Sequence, residues 1–281
     1  MADTTQPRLA RSALYVPGDA SDKLTKALSR GADELIVDLE DAVAPDRKDA
    51  ARAAVAAWLQ DLPASETAVW VRVNPGALGL TDVKAVAGAS ALAGIVLAKT
   101  ESLVEVEAVD AILTEHGSDA GIVPLLESAA AVLRAVEIAS GPRVRRLQVG
   151  EADLRADLGV TLGPDERELL HVRSQMVLVS AAAGISPPIG PVSTDFRDLD
   201  ALRASTESLA RLGYVGRACI HPAQIAVVNE VFTPSAAEVE EAQQLLAALD
   251  AAGSGVALDA RGRMIDEAVA RQARLVLARV R

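Results

Sequence analysis

The sequence predicts an α/β protein, a TIM (β/α)8 barrel followed by a C-terminal helical extension. Two observations predict this fold. Short runs rich in β-branched residues alternate with longer Ala- and Leu-rich stretches of helical period, which is typical of a parallel sheet with crossover helices. Eight such strand segments precede residue 221, and eight strand–helix units close a TIM barrel.

The predicted elements follow one another without an obvious linker. The predicted strands cover residues 13–16, 34–39, 68–73, 94–98, 121–126, 145–149, 190–193 and 217–220. The predicted helices between them cover residues 22–29, 48–59, 104–115, 130–139, 166–183 and 199–212. We therefore expect one barrel domain over residues 1–232, without division into two halves.

Residues 233–281 are expected to form the extension, because the eight units are complete before them and a TIM barrel takes about 250 residues. The extension contains a predicted helix at 235–252, a hinge at Gly253-Ser254-Gly255, a short segment at 256–266 and an amphipathic helix at 267–281. A terminal segment beyond such a hinge can dock on its own barrel or on that of a neighbour.

Composition excludes several classes of protein. The 281 residues are 50% hydrophobic and 24% charged, so the chain can bury a core that Ala, Val and Leu must build, since only 2% is aromatic. The net charge of -11 opposes binding to nucleic acid and to anionic membranes. A single cysteine, Cys219, excludes an internal disulfide and a thiolate metal cluster. Because residues 1–11 lack an apolar signal core and no apolar run approaches about 18 residues, we expect a cytoplasmic protein.

Polar residues stand at or soon after the end of nearly every predicted strand. They are Asp38 and Glu40 for strand two, Arg72 and Asn74 for strand three, and Lys99, Glu127, Asp153, Asp195 and His221 for strands four to eight. In a TIM barrel the carboxyl ends of the strands converge on one mouth, where catalytic groups lie. The pattern therefore predicts an acidic mouth with one arginine and one lysine, a composition typical of a divalent-cation site that also receives an anion.

Glu127, Asp153 and Arg72 each allow two interpretations. Two carboxylates on adjacent strands suit magnesium, which usually takes one or two protein carboxylates. The same two residues could instead cap the turns that follow them. Arg72 is expected near the top of the barrel, either holding an anion or forming an internal salt bridge to Asp38 and Glu40.

Lys99, His221 and Cys219 are weaker candidates. Lys99 stands at a strand end, as Schiff-base lysines do, and apolar neighbours would lower its pKa, but a lysine there can also simply be solvated. His221 is a candidate acid/base, although the proline after it favours a structural or ligand-positioning role equally. Cys219 is expected to be a buried core residue rather than a reactive thiol.

Seven ordered motifs carry a resemblance to a known family. They are RSALYVPG at 11–18, DLEDAV at 38–43, VRVN at 71–74, PLLES at 124–128, Asp153 with DLG at 157–159, CIHPAQI at 219–225 and GRMID at 262–266. With these motifs the chain resembles the citrate lyase β-subunit-like, or HpcH/HpaI aldolase, family of CoA-ester lyases over residues 11–281. The ordered set is specific, whereas each motif alone is weak.

The resemblance implies a magnesium-dependent enzyme that breaks or forms the carbon–carbon bond between an acyl-CoA enolate and a 2-oxo acid. It implies that Glu127 and Asp153 bind the metal, that Arg72 holds the oxyanion, and that Asp266 is the acid/base. Asp266 also suits the N-cap of the last helix, so the two roles can coexist. We further expect Asp38, Glu40, Asn74, Lys99 and His221 to contact the substrate, a short 3-hydroxyacyl-CoA such as malyl-, citramalyl- or citryl-CoA.

One motif departs from the family pattern. The family usually has Gly-Ala-Glu-Asp before the second metal ligand, whereas this chain has Gly150-Glu151-Ala152-Asp153. On an extended strand Glu151 and Asp153 would share a face, so Glu151 is expected to crowd, replace or flank the metal.

Several alternatives stay open at the level of sequence. A class II 2-oxo acid aldolase without CoA, an acyl-CoA thioesterase, and a β subunit acting in a citrate lyase complex with an acyl carrier protein all suit the same fold. Lys23, Lys26, Arg30 and Arg47 could bind the phosphates of CoA. The apolar pattern of the last helix, with the resemblance, predicts a homotrimer or hexamer whose active site is completed by the extension of a neighbour.

Overall fold

The computed structural model describes residues 9–63, 65–253, 255–258 and 262–280. Eight strands form the central sheet: β1 (Ser12–Pro17), β2 (Glu34–Asp38), β3 (Ala68–Val73), β4 (Leu92–Leu97), β5 (Gly121–Leu126), β6 (Gln148–Val149), β7 (Ile189–Gly190) and β8 (Gly216–Cys219). They pair in parallel in chain order, and β8 closes the barrel against β1. The predicted TIM barrel is confirmed.

The helices that follow the strands form the second layer. They are α1 (Ser21–Ala27), α2 (Lys48–Asp61), α3 (Gly76–Val86), α4 (Leu103–Glu115), α5 (Ala129–Leu133), α6 (Ala135–Ala139), α7 (Glu151–Leu158), α8 (Leu170–Ala183), α9 (Leu199–Leu212) and α10 (Ala223–Phe232). Short 3-10 turns occur at Pro45–Arg47 and Arg167–Leu169. No helix of the described residues has both the length and the apolar character that crossing a bilayer requires.

Several of these helices differ from the sequence prediction. Neither α3 nor α10 was predicted, because the segment of α3 contains two glycines, which weaken helix propensity, and α10 is rich in β-branched residues, which favour a strand in isolation. Helix α7 begins directly after β6, where a continued strand was expected. The helix predicted at 130–139 divides at Arg134 into α5 and α6, and β6 and β7 are only two residues long.

Buried apolar side chains fill the barrel. One cluster inside it consists of Ala13, Ile36, Trp70, Val96, Val123, Leu125 and Ile189, which come from six different strands. Because aliphatic residues from neighbouring strands interlock here, the strand ends are fixed in position and the polar residues that follow them are held in place.

The chain divides into two compact units, of which the barrel, residues 10–229, is one. The described residues from Glu230 onward belong to the other, which contains α11 (Ala236–Ala252), an antiparallel hairpin of β9 (Ala257–Leu258) and β10 (Met264–Ile265), and α12 (Glu267–Leu277). A capping box of Ser235 and Glu238 begins α11, and Gly253, with a φ of 61°, ends it. Ser254 of the predicted hinge, residues 1–8 and Arg281 lie outside the described residues.

Candidate active site

A cavity of about 530 Å³ opens at the carboxyl ends of the barrel strands. Its lining includes Tyr15 from β1, Asp38 at the end of β2, Arg72 from β3 and Glu127 directly after β5. Asp153, in the first turn of α7, lines the same cavity. The barrel therefore brings three of the residues implied by the resemblance to one cavity.

Arg72 is held by two buried carboxylates. Its Nε and Nη2 donate to the two carboxylate oxygens of Asp38 at 2.7 and 2.6 Å, and its Nη1 lies 3.1 Å from Glu40 Oε2. The guanidinium also lies over the ring of Tyr15, 5.1 Å from its centroid. The internal salt bridge considered for Arg72 is thus present, and Arg72 still lines the cavity. Burial lowers the pKa of Arg72, but the hydrogen bonds and charge of Asp38 outweigh burial, so the guanidinium stays charged.

Lys99 is surrounded by carboxylates rather than by apolar groups. Its Nζ donates to Glu40 and lies 3.5 Å from Asp41 Oδ1 and 3.7 Å from Asp153 Oδ2. Burial lowers the pKa of Lys99, but the hydrogen bond and charge of Glu40 outweigh it, so the net shift is upward. The expectation that apolar neighbours lower the pKa of Lys99 was wrong, and a raised pKa disfavours the Schiff-base alternative, because a nucleophilic lysine needs a lowered pKa.

Glu127 is buried beside Lys99. Its side chain is one of the few buried carboxylates, 8% exposed, and its Oε2 accepts from the backbone N–H of Lys99 at 3.1 Å. Burial, followed by the charge of Glu40, raises the pKa of Glu127 to about 7. Gly150 makes room for it, since a Cβ there would lie 2.5 Å from Glu127 Oε1.

The sequence Gly150-Glu151-Ala152-Asp153 does not continue the strand, and the expectation that Glu151 and Asp153 share a face was wrong. Both residues lie in the first turn of α7, where side chains two positions apart are about 200° apart around the axis. Glu151 instead accepts two hydrogen bonds from Arg173 on α8, at 2.7 Å each. Asp153 is half-exposed and its carboxylate is directed toward Lys99.

The charges around Lys99 suit a divalent cation. Within the described residues no group of three or more His, Cys, Asp and Glu side chains is arranged to hold a metal. Magnesium needs only one or two carboxylates, with water and substrate completing its octahedron, and Glu127 and Asp153 supply them. Five carboxylates here face two cations: Asp38, Glu40, Asp41, Glu127 and Asp153 against Arg72 and Lys99. With all five ionised, the negative charges exceed the positive ones by three, an excess that a divalent cation would largely offset. The raised pKa of Glu127 means that without such a cation this carboxyl is only partly ionised near pH 7.

Asn74 and His221 do not line this cavity. The Asn74 amide donates to the backbone of Leu39 at 2.9 Å and to Asp82 at 2.7 Å, so it ties the end of β3 to α3. His221 is exposed, stacks on Phe196 with ring centroids 4.5 Å apart, and accepts the backbone N–H of Ala223 through Nδ1. Both side chains therefore serve local structure, and their contact with substrate stays a prediction.

The remaining sequence candidates also have structural partners. Asp195 accepts the backbone N–H of Arg197 at 3.0 Å. In the second unit, Asp266 accepts the backbone N–H of Val269 at 3.1 Å, so the predicted N-cap of the last helix is confirmed. Cys219 is buried, and burial raises the pKa of its thiol to about 12, as expected for an inert core residue.

The basic residues proposed for CoA phosphates are partly paired. Lys26 lies 3.7 Å from Asp22, and Arg47 lies 3.0 Å from Asp19. These pairs are solvent-exposed on at least one side, so each could exchange its carboxylate for another anion at small cost.

The sequence pattern did not predict several residues that line the cavity. The expectation that Arg72 is the only arginine at the mouth was wrong, because Arg155 of α7, Arg173 of α8 and Arg217 of β8 also line the cavity. Arg217 lies on a predicted strand and could have been found there. The other two lie on helices whose position relative to the mouth the sequence pattern does not give.

Tyr15 and Gln148 meet across the barrel. Gln148 Nε2 donates to the Tyr15 hydroxyl at 3.3 Å, and Gln148 Oε1 has no partner among the described residues. Burial raises the pKa of Tyr15 to about 12, so its hydroxyl keeps its proton at neutral pH. The pair adds polar groups to the cavity lining.

Comparison with known proteins places the chain in a family. The family model for HpcH/HpaI aldolase/citrate lyase matches residues 11–222. A (3S)-malyl-CoA thioesterase of Cereibacter sphaeroides is 36% identical, and the match covers 96% of this chain and 94% of the thioesterase. The mitochondrial citramalyl-CoA lyase of Mus musculus is 32% identical, and the match covers 95% of this chain and 85% of the lyase. A crystal structure of CitE from Mycobacterium tuberculosis, in complex with magnesium, acetoacetate and coenzyme A, superposes with a TM-score of 0.77 at 30% identity, covering 95% of this chain and 97% of that one. The chain belongs to the HpcH/HpaI aldolase/citrate lyase family.

Proposed function

We propose that the protein is a magnesium-dependent carbon–carbon lyase that cleaves, or forms, a short 3-hydroxyacyl-CoA such as malyl-, citramalyl- or citryl-CoA. The products of cleavage are an acyl-CoA and a 2-oxo acid. The observation that carries the proposal is the meeting of Glu127, Asp153 and Arg72 in one cavity at the carboxyl end of the barrel. The CitE complex with magnesium, acetoacetate and coenzyme A supports it.

Glu127 and Asp153 would hold the magnesium ion. They follow adjacent strands, both border the cavity, and both belong to the cluster in which carboxylates outnumber cations. When bound, the ion acts as a Lewis acid on the oxygen of the 2-oxo acid and orients its carboxylate. With the ion bound, the nearby Lys99 would keep its ion pairs with Glu40 and Asp41.

Arg72 would stabilise the negative charge that develops during cleavage. As the C2–C3 bond breaks, the 3-hydroxyl gives its proton to solvent and becomes the carbonyl of the 2-oxo acid, while the bonding electrons pass to the thioester as an enolate. A guanidinium that Asp38 and Glu40 already orient needs no rearrangement to stabilise that oxyanion. The enolate carbon then takes a proton, which we assign to Asp266.

Asp266 belongs to the second unit of the chain. We propose that the protein is a homo-oligomer, a trimer or hexamer, in which residues 233–281 of one subunit supply Asp266 to the barrel of a neighbour. The cap that Asp266 forms on α12 uses one carboxylate oxygen, Oδ1, so its other oxygen is available for proton transfer.

A second candidate is a thioesterase, which the similarity to (3S)-malyl-CoA thioesterase favours. The same cavity would then direct a water molecule to the thioester carbon, releasing free CoA and the intact hydroxy acid. Lyase and thioesterase differ in their products but share their binding residues.

Product analysis separates the two candidates. The purified chain would be incubated with magnesium and, separately, malyl-, citramalyl- and citryl-CoA, and the products identified by mass. A lyase yields acetyl-CoA and a 2-oxo acid, whereas a thioesterase yields free CoA and the hydroxy acid. If no ester gives either set of products, both candidate functions are wrong.

Matched variants connect the activity to the metal. Glu127→Gln and Asp153→Asn should each weaken magnesium binding severely in calorimetry, with loss of product. Asp195→Asn, which lies outside the cavity lining, is the control and should bind magnesium like the parent. Unchanged magnesium titrations in both cavity variants would place the metal elsewhere.

A further inference from the structure

We propose that Arg155 binds a second carboxylate of the substrate, so that the 2-oxo acid handled by this protein is a dicarboxylate such as oxaloacetate. The inference rests on the proposed function and narrows it. Among the three candidate esters, it selects the citryl-CoA type, because malyl- and citramalyl-CoA release monocarboxylic 2-oxo acids.

The first observation is that Arg155 differs from the other arginines of the cavity. Arg72 is paired with Asp38 and Glu40, and Arg173 is paired with Glu151 and Glu166. Arg217 donates to the carbonyl of Pro191 and to the hydroxyls of Ser205 and Thr206. Those contacts occupy the other three guanidinium groups within the fold.

Arg155 has no such contact. Its guanidinium makes no hydrogen bond or ion pair within the described residues, and its Nε is a buried atom without a partner. A buried donor left without an acceptor is costly, and more so when it carries charge. The cavity that Arg155 lines is therefore expected to receive an anion there.

The shape of the guanidinium indicates which anion. Its planar set of N–H groups matches the two oxygens of a carboxylate, and such charge-assisted pairs are about twice as strong as neutral hydrogen bonds. Arg155 and Asp153 both line this cavity, although two positions along α7 set them about 200° apart around the helix axis. Their side chains therefore border the cavity from different sides of the helix, and one small dicarboxylate between them can be engaged at both ends.

The α-carboxylate of the 2-oxo acid does not need Arg155, since the proposed function assigns that end to the metal site. A second carboxylate is absent from glyoxylate and pyruvate, which would leave Arg155 without a partner. It is present in oxaloacetate. Arg155 is thus a specificity-determining residue whose contribution depends on the second charge of the ligand.

Calorimetric binding of three 2-oxo acids at saturating magnesium tests the proposal. Oxaloacetate carries the second carboxylate, pyruvate lacks it, and 4-methyl-2-oxopentanoate replaces it by an uncharged group of the same branching. The parent should bind oxaloacetate about tenfold or more tightly than either of the others, the range expected for one charge-assisted contact. Arg155→Gln should remove that preference and leave pyruvate binding unchanged, and Arg155→Lys should retain part of it.

Controls separate Arg155 from the metal site and from folding. Arg211→Gln, on the exposed side of α9, should behave like the parent. Magnesium affinity and melting temperature of Arg155→Gln should not fall, because Arg155 holds neither the metal nor another side chain. A fall in magnesium affinity equal to the fall in oxaloacetate affinity would overturn the proposal in favour of an indirect effect through Asp153.

The remaining outcomes distinguish this proposal from the proposed function. If the parent binds pyruvate and oxaloacetate equally, or if Arg155→Gln keeps the preference, the role of Arg155 is wrong while the metal-dependent lyase stands. If the parent binds no 2-oxo acid with magnesium, both the role of Arg155 and the proposed function are wrong.

Discussion

Arg72 illustrates how one side chain can serve stability and chemistry together. The guanidinium of Arg72 donates two hydrogen bonds to Asp38, which is 2% exposed. Replacing Arg72 therefore leaves a buried carboxylate with a poorer partner. Lysine keeps the charge but cannot form the two parallel hydrogen bonds.

We therefore expect Arg72→Lys to reduce turnover about a hundredfold, the scale for loss of one oxyanion donor. Its free energy of unfolding should also fall, by about 1–2 kcal/mol, because the ion pair is weakened rather than removed. Urea unfolding and steady-state kinetics on the same preparation measure the two effects. Arg211→Lys is the control, and a loss of activity no larger than the unfolded fraction would leave Arg72 a purely structural role.

At the scale of single elements, the junction of β6 and α7 shapes the proposed metal site. Gly150 lies between them, and its missing side chain leaves the space that Glu127 occupies. The backbone at Gly150 donates to Leu126 at 3.0 Å, so the junction is also tied to the end of β5.

Gly150→Ala should displace the Glu127 carboxylate, because the new methyl group would lie 2.5 Å from Oε1. We expect magnesium affinity to fall by about tenfold or more, as for a change in the support of a metal ligand. Calorimetry at fixed pH measures it. Gly88→Ala, where a methyl group meets nothing within 4 Å, is the matched control. Parental affinity in Gly150→Ala would show that Glu127 can move without cost.

The same junction shows what the sequence could predict. Buried β-branched runs predicted the eight strands, and the polar residues Asp38, Arg72 and Glu127, at the carboxyl ends of β2, β3 and β5, were placed at the mouth because parallel strands end together. Residues on α7 could not be placed in this way. The spacing of Glu151 and Asp153 suits a strand as well as a helix, and the partner that distinguishes the two, Arg173, is 22 residues away.

At the scale of the whole molecule, the carboxylate of Glu166 connects two helices, α8 and α9. Arg173 of α8 donates to Glu166 at 2.7 Å, and Ser205 of α9 donates to the same carboxylate at 2.9 Å. Burial raises the pKa of Glu166, but the hydrogen bond and charge of Arg173 outweigh burial, so the pKa lies below its ordinary value of 4.5.

A carboxyl with a lowered pKa stabilises the folded protein above its ordinary pKa and loses that contribution as pH falls through the lower, folded value. We expect Glu166→Gln to cost about 1 kcal/mol of unfolding free energy at pH 7, a modest value because the side chain is partly exposed. The difference from the parent should shrink as pH falls below about 4. Urea unfolding from pH 7 to pH 3 measures this difference in unfolding free energy, and Glu115→Gln, at an exposed position, is the control. A difference that does not depend on pH would contradict the ion-pair explanation.

The second unit exposes apolar side chains that suit an interface between subunits. Within its described residues these are Val256, Leu258, Met264, Leu275 and Val280, each 44–65% exposed. Apolar side chains exposed in this number on one small unit suit burial against another chain, and a second copy of the chain offers closed symmetry. The proposal that Asp266 acts on the barrel of a neighbour follows from the same segment.

A mixing experiment tests this arrangement. Under the proposed function, Asp266→Ala keeps the metal site but lacks the proton donor, whereas Glu127→Gln keeps the proton donor but lacks a metal ligand. Each chain alone should therefore be inactive. Denatured and refolded together in equal amounts, they should recover roughly a quarter of parental activity, since half of the barrels are intact and random assembly gives about half of those an intact neighbouring extension. Parent refolded alone controls for the yield. If the mixture stays inactive while the parent recovers, Asp266 serves its own barrel or has no part in the reaction. The proposal that the extension of one subunit completes the active site of its neighbour would then be wrong.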